Sequence, residues 1–560
     1  MMNSRAAVCH LFGLMCYAAS TCLAQTDHER PKPKVTTPLE VTGISRISPD
    51  LACLRLNNPA DLTGYAHYKN VAFDPQIAVN PKNPHNMVIV TQQDTLANAN
   101  YNSALPLSCA IIYTLDGGTT WNQAGVVLSR CQGATNYQAH NNFSAAYFPS
   151  VTFDSEGICY VLITGYNIFS ADHQQTVSLD EGNIIAKSID GGVSWDEVGP
   201  IFRDDGSCHF IDYPHIAADP HRKRTEYIVY SDNTCFVFGN CADPDYTGNQ
   251  NIIFQKSTDE GFTWSPQTII ASYIPTDPDQ CTPIPVFNQI DVLPDKKRTL
   301  IVSTILQEHA PDDLATTPAD HLHIYRSEDE GATWQEHIVD STISHVLAVD
   351  ADSFDPILPV TPFTTKDMAV NQKNGYIYLV YSDPRFNSTG RAGAVIRKSV
   401  DGGISWSEPR PVNPKSVDVQ TFLPHVAVAK DGTVGVLFYD LRNFTPGDQE
   451  LHTDVWMTFF DEELHHYYGE VRLTQYSFDT RQSIRGFNGV DQQNCYFDYY
   501  LSNHVGLEAI ENDFVATFTI THENCNVATI GTFPCNSFPL SMETCNRQNV
   551  VFVNIHKTKW

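Results

Sequence analysis

Thr114-Leu-Asp-Gly-Gly-Thr-Thr-Trp121 recurs with small changes as Ser188-Ile-Asp-Gly-Gly-Val-Ser-Trp195, Ser257-Thr-Asp-Glu-Gly-Phe-Thr-Trp264, Ser327-Glu-Asp-Glu-Gly-Ala-Thr-Trp334 and Ser399-Val-Asp-Gly-Gly-Ile-Ser-Trp406. The shared pattern is Ser/Thr-x-Asp-x-Gly-x-Thr/Ser-Trp, and it holds five of the chain's seven tryptophans. Its aspartates, Asp116, Asp190, Asp259, Asp329 and Asp401, stand 74, 69, 70 and 72 residues apart. A fixed period of that size means one supersecondary unit stacked several times.

Each copy follows a short β-rich run, such as Ala110-Ile-Ile-Tyr113 or Asn251-Ile-Ile-Phe254, so each reads as a hairpin turn after a strand. The Asp can accept backbone N–H groups of the turn. The Gly allows positive φ where the chain reverses. The Trp is expected to pack on the hairpin. This pattern resembles the Asp-box, or BNR repeat, of sialidases and related β-propellers. The box is read as a turn device, with none of its residues catalytic.

A second repeat lies between the boxes: a polar residue, an apolar strand of small residues, then a bulkier strand. Copies begin at Gln76, Ser150, His215, Gln289, Asp367, His425 and His504, 58 to 79 residues apart. Seven units fall within the four to eight blades usual for propellers. The sixth has lost its box, and Phe459-Phe-Asp461-Glu takes its place. The seventh offers three good strands, so the missing strand is expected from the N-terminus, near Leu39-Glu-Val-Thr-Gly43. The expectation is an all-β, seven-bladed β-propeller with Asp-box hairpins, closed by an N-terminal strand over 39–46. It forms a single domain over 39–560, with blades starting near the seven polar residues.

Residues 1–24 read as a secretory signal peptide, with Arg5 as the charged segment and Ala6 to Ala19 as the apolar core. Residues 25–38, polar and rich in Pro and Lys, read as a flexible linker. The expected location is secreted or periplasmic. The net charge of −29 argues against partnership with nucleic acid or an anionic membrane surface. No segment has the 18 apolar residues of a membrane span. Twelve cysteines follow the signal, an even number that favours disulfides in an exported protein. Cys235 with Cys241 and Cys109 with Cys131 are candidate pairs.

In such a propeller the polar residue opening each inner strand should ring one mouth of the channel, with the boxes on the opposite rim. The ends of the second strands, Asp94, Asn167, Asp232, Asp383-Pro-Arg385 and Asp440-Leu-Arg442, should feed the same mouth. Tyr381-Ser-Asp-Pro-Arg385 and Tyr439-Asp-Leu-Arg442 resemble the aromatic-x-Asp-x-Arg motif of secreted bacterial Asp-box proteins in the sialidase superfamily. Asp498-Tyr499 with Val505-Gly-Leu507 resembles a stretch near the end of such proteins. The resemblance spans roughly residues 70–520. It stops short of sialidases proper: no Arg-Ile-Pro occurs, and the first inner-strand approach reads Phe73-Asp-Pro-Gln76.

The expected function is glycan-directed. A glycoside hydrolase needs two carboxylates about 5–10 Å apart, and Asp367, Asp383 and Asp440 are the candidates. His215 and His425 are candidate bases, and Tyr439 joins the catalytic set. Arg385, Arg442, Gln76, Gln289, His504 and Tyr499 are candidate substrate-binding residues, Tyr499 by stacking on a sugar. The alternative is a noncatalytic propeller for protein interaction or envelope scaffolding. The plain reading of the ring is a wet channel mouth, and that of Asp-x-Arg is a salt bridge between blades. No cofactor is expected, although Asp350-Ala-Asp352-Ser-Phe-Asp355 is a candidate calcium loop. The expected partner is a glycan or glycoprotein, and the expected state a monomer.

Overall fold

The computed structural model describes residues 33–41, 65–98, 103–124, 129, 131, 143–167, 180–203, 209–234, 249–274, 283–307, 320–344, 348–358, 365–491, 494–522, 543–544 and 547–557. The expected signal peptide and the Cys235–Cys241 pair lie outside these residues. The described chain is nearly all β, with one short 3-10 turn at Thr480–Gln482. No described helix is long and apolar enough to cross a membrane.

Seven sheets follow one another along the chain as antiparallel meanders. Sheet I begins with Tyr65–Val79, sheet II with Ala145–Phe153, sheet III with His209–Ala218 and sheet IV with Ile284–Val292. Sheet V begins with Lys366–Val370, sheet VI with Thr421–Val428 and sheet VII with Gly506–Ile510. Sheet VII continues through Asp513–His522 and Arg547–His556, and its outer edge is paired by residues from the N-terminus. Leu39 pairs with Phe552, and Lys34 with His556. Part of the stretch expected to be linker is thus strand. An eighth sheet, absent from the sequence reading, joins Ala348–Val349 and Pro356–Leu358 to Asn494–Tyr500 and Ile484–Asp491.

Side chains alternate between the two faces of a strand, and here the faces serve two neighbours. Ile228 and Tyr230 pack toward sheet II, while Tyr227 and Val229 pack toward sheet IV. Every consecutive pair of sheets shares such an apolar cluster. Sheets VII and I share one as well, where Val515, Val550 and Phe552 meet Ile77, Ile89 and Trp121.

The five repeat turns are built as their residues dictate. In the third, Asp259 accepts the Thr263 N–H at 2.8 Å and its hydroxyl at 2.6 Å. Ser257 donates to the same carboxylate at 2.9 Å, and its oxygen accepts the Gly261 N–H. These donors hold Asp116 and Asp329, in the equivalent turns, down at about 2. Each turn also packs on the preceding sheet. Gly331, at φ +88°, lies so close to the Phe254 ring of sheet III that a Cβ would sit 2.1 Å from it. Gly118 meets Phe552 of sheet VII in the same way, at 2.2 Å. Only glycine meets both demands, positive φ and close approach. Trp195, Trp264, Trp334 and Trp406 each donate their indole N–H to the carbonyl of the glycine three residues earlier. In sheet VI the turn at Asp461 does the same work with other residues. Glu462 accepts Tyr378 of sheet V through its carbonyl at 2.7 Å, and Glu463 pairs with Lys398.

Cys109 and Cys159 are buried thiols, so the Cys109–Cys131 pairing is not formed. Burial pushes both thiols up.

Candidate functional site

In sheets I to VI the first strand starts upstream of its polar residue; in sheet VII it starts two residues after His504. In sheets I, II, III, IV and VI two residues of the first strand oppose one of the second, just before the polar residue. That is a β-bulge. The first bulge residue is always left-handed: Asp74 (φ 53°), Phe148 (45°), Tyr213 (48°), Phe287 (54°) and Leu423 (51°). The second is Pro75, Pro149, Pro214, Asn288 or Pro424. Proline has no N–H to offer a ladder and suits a bulge. Positive φ at bulky residues costs about 1–3 kcal/mol each and persists only where packing enforces it. Thr91 and Thr304, opposite two of the bulges, satisfy the carbonyls of Phe73 and Val286 at 2.7 and 3.1 Å.

The bulges re-aim side chains. Phe148 stacks on Tyr213 with centroids 5.1 Å apart, Tyr213 meets Phe287 at 4.8 Å, and Phe287 meets His504 edge-on at 5.5 Å. Side chains of four sheets thus form a collar. Together with Asp74, Gln76, Gln92, Pro149, Pro214, His215 and Asn288 they line a small cavity, with room for about one or two waters.

The polar residues have a further task. Ser150 accepts the Ile216 N–H at 3.3 Å and His215 that of Ile290 at 3.4 Å. Gln289 accepts that of Met368 at 2.9 Å, Asp367 that of Val426 at 2.9 Å, and His425 that of Val505 at 3.4 Å. Each acceptor reaches the residue just after the polar residue of the next sheet, so six successive sheets, II to VII, are latched by one rule. At the seam between sheets VII and I, Asp74 holds the chain. Its carboxylate accepts Ser502 Oγ at 3.0 Å, Tyr500 OH at 2.8 Å, Gln92 Nε2 at 2.7 Å and the His504 N–H at 3.3 Å. It also accepts the Asn503 N–H.

Burial dominates the electrostatics here. It pushes Asp74 up to about 6, Asp291 to about 7, and Asp212 and Glu508 to about 8, the last with help from Asp367 and Asp291. It pulls His215 and His504 down to about 3 and lowers His425. Lys366 falls to about 7, its amine donating to Ser303 Oγ at 2.5 Å.

The sequence-derived site residues divide in two. Gln76, His215 and His504 line the cavity, and Gln289, Asp367 and His425 continue the latch around the same strands. The others do not join them. Arg385 bonds Asp383 at 2.7 Å and crosses to Asp340, on the outer strand of sheet IV, at 2.6 Å. Arg442 bonds Asp440 at 2.6 Å and reaches Glu470, on the outer strand of its own sheet, at 2.7 Å, with its guanidinium 3.8 Å from the Trp456 ring centre. Tyr439 is wholly buried and donates to the Thr519 carbonyl at 2.9 Å. Tyr499 is buried and donates to Asp355 at 3.2 Å. These geometries fit the salt-bridge and packing roles. Arg391 lies over the Phe354 ring, 5.8 Å from its centre.

Nor do the acids of the candidate calcium loop face an open centre. Arg481 sits between Asp350, at 2.6 Å, and Asp352, at 2.9 Å. Among the described residues no group of three or more His, Cys, Asp or Glu is arranged to hold a metal.

Sequence reading missed Asp74, Phe148, Tyr213, Phe287, Gln92 and Asn288. A signal was present: Phe73-Asp-Pro-Gln76, Tyr147-Phe-Pro-Ser150, Asp212-Tyr-Pro-His215 and Phe422-Leu-Pro-His425 repeat a Pro directly before the polar residue.

No family model matches the chain, and no curated protein does. Among solved structures it is similar to a Hadza microbial sialidase, Hz136, at 15% identity over 74% of this chain and 71% of that one, TM-score 0.39. It is also similar to an alpha-L-arabinanase of Penicillium chrysogenum, at 14% identity over 77% and 99%, TM-score 0.39. A third is an ulvan lyase of polysaccharide lyase family PL25, at 12% identity over 81% and 92%, TM-score 0.43. At that level of likeness none of their activities carries over to this chain.

Proposed function

We propose that the seven sheets are the blades of one ring-shaped β-propeller, exported from the cell, that binds a glycan at the collar of side chains around its axial cavity. Ring closure is supported by the apolar cluster between sheets VII and I and by Asp74's grip on residues 500–504. The binding reading is carried by one observation: stacked aromatic faces and unpaired amide acceptors share a single cavity. Phe148, Tyr213 and Phe287 offer apolar faces to the C–H side of a pyranose. Gln92 Oε1 and Asn288 Oδ1 are buried without a partner and await hydroxyl donors. A buried acceptor left unpaired costs about 1–3 kcal/mol, which a ligand can return. Gln76, His215 and His504 complete the polar wall.

Binding is favoured over hydrolysis. Asp74, the carboxyl at the cavity, is saturated by donors, and Asp367 is occupied by the Val426 N–H. Hydrolysis needs a carboxyl pair open to a glycosidic bond. The test is a glycan-array and calorimetry screen paired with a hydrolysis panel, run on the wild type and Phe287→Ala. Saturable binding weakened at least about tenfold by the substitution, without turnover, supports the reading, since an aromatic contact of this kind is worth about 1 kcal/mol or more. Turnover blocked by Asp367→Asn would restore the hydrolase reading.

A further inference from the structure

We infer that a second sugar subsite lies at the end of the sheets where the first strands begin, with an uncharged pyranose stacked on Phe354 and held by Arg391. The inference rests on the glycan-binding reading above and adds a contact point outside the cavity. Phe354 belongs to the connection that enters sheet V, and Arg391 to the connection that leaves its second strand, Ile377–Ser382. The repeat turns lie at the opposite end, after the third strand of each sheet. Phe354 combines two unfavourable features. Its φ is +64°, a region that a bulky side chain rarely adopts, and it is 66% exposed. Such strain persists only where the surroundings over-determine it, and it gathers at ligand clamps.

Here the surroundings do so. The Phe354 N–H donates to the Asp350 carbonyl at 2.8 Å, and the Asp350 N–H to the Asp355 carbonyl at 2.9 Å. Arg481 grips Asp350 and Asp352, Asp352 also accepts the Gly447 N–H at 2.9 Å, and Asp355 accepts the Tyr499 hydroxyl at 3.2 Å. Three neighbouring segments thus fix a loop whose tip holds a ring in solvent. Arg391 supplies the polar partner. Its guanidinium carbon stands 5.8 Å from the Phe354 ring centre. Arg385, Arg397, Arg442, Arg472 and Arg481 are each ion-paired with a carboxylate. Arg391 pairs with none among the described residues. A fork of N–H donors beside an exposed ring fits a sugar, whose C–H face covers the ring while its hydroxyls accept from the guanidinium. Charge decides which sugar. Asp355 is next to Phe354 in the chain, and Asp418 accepts the Ser388 hydroxyl at 2.6 Å, three residues from Arg391. These carboxylates offset the one guanidinium, and the chain carries −29 overall, so a uronate gains no net attraction.

The test is titration calorimetry at neutral pH with N-acetylchitohexaose, cellohexaose and hexagalacturonate, each beside its monosaccharide. A neutral hexamer should bind at least about tenfold more tightly than its monosaccharide, the yield of one aromatic contact with its hydrogen bonds. Phe354→Ala should remove most of that gain, and Phe354→Tyr, which keeps the ring, should retain it. Phe354→Gly separates binding from structure. Glycine relieves the positive φ, so this variant should melt at or above the wild-type temperature while the gain is lost. A gain unchanged in Phe354→Gly overturns the inference, whatever the melting temperature, and leaves the collar reading intact. If the Gly variant loses the gain but melts lower, Arg391→Gln, which leaves the loop untouched, decides: a lost gain supports the subsite and a retained one overturns it. Tighter binding of hexagalacturonate than of both neutral hexamers overturns the choice of an uncharged sugar. Binding of none of the probes by the wild type overturns the glycan reading itself, and the subsite with it.

Discussion

Asp367 Oδ2 accepts the backbone N–H of Val426, one sheet further on, at 2.9 Å. A residue that reads in the sequence as a candidate catalytic acid is, in the structure, one of five equivalent acceptors that join neighbouring sheets. That bond makes a first test. Asp367→Leu leaves the Val426 N–H unpaired and should cost about 1–3 kcal/mol of stability. Asp367→Asn keeps an acceptor oxygen and should recover most of the loss. Urea denaturation of the two variants checks this; equal destabilisation would mean that charge, not the acceptor, holds the seam.

Arg385 separates a structural role from a binding one. Asp383 and Asp340 are both buried, and Arg385 neutralises them. Replacing it by Met strands Asp383, while Arg397 still pairs Asp340 at 2.7 Å, a change expected to cost about 3 kcal/mol. Sugar binding by the folded fraction should be unaltered. Thermal unfolding and calorimetry on the same sample decide; lost affinity at full stability would return Arg385 to the site.

The repeat turns give a third prediction. Asp259→Ala removes three hydrogen bonds from one exposed turn and should lower stability by about 1–3 kcal/mol. Ligand affinity should stay the same, because the turn caps the preceding sheet and does not reach the cavity. Unchanged stability with lost binding would contradict that assignment.

Two pH dependences follow from burial, with opposite signs. His215 is pulled from the ordinary histidine value to about 3, so only the unfolded chain takes up its proton in between. Its contribution is fully present above pH 6.5 and is lost as the pH falls toward 3. Glu508 is pushed from 4.5 up to about 8, so the folded state holds its proton longer. Its burial therefore destabilises increasingly as the pH rises from 4.5 to 8. Compared with wild type, His215→Gln should be less sensitive to acid below pH 6.5. Glu508→Gln should lose less stability between pH 5 and 8. Melting temperatures measured across pH 4–9 check both signs; curves parallel to wild type would rule out these two groups as the source.

The amino-acid sequence determined the features that repeat locally. Strand, turn and strand are written in each unit, because Asp, Gly and Thr or Ser satisfy a turn from within eight residues. The spacing of Gln76 through His504 marked the strands of seven sheets for the same reason, and the polar choice at Ser150, His215, Gln289, Asp367 and His425 reflected one shared requirement for an acceptor. Tertiary structure alone decided which acceptor meets which N–H. Ile216, Ile290, Met368, Val426 and Val505 lie 59 to 80 residues from their partners, and no local pattern encodes a bond that exists only once two sheets pack. It also decided that Arg385 and Arg442 turn to outer strands, because a desolvated guanidinium takes the carboxylates within reach, here Asp340 and Glu470. The cavity is the clearest case. Its collar is made by strained residues at bulges in separate sheets, where φ is imposed by packing against neighbours that the chain supplies much later.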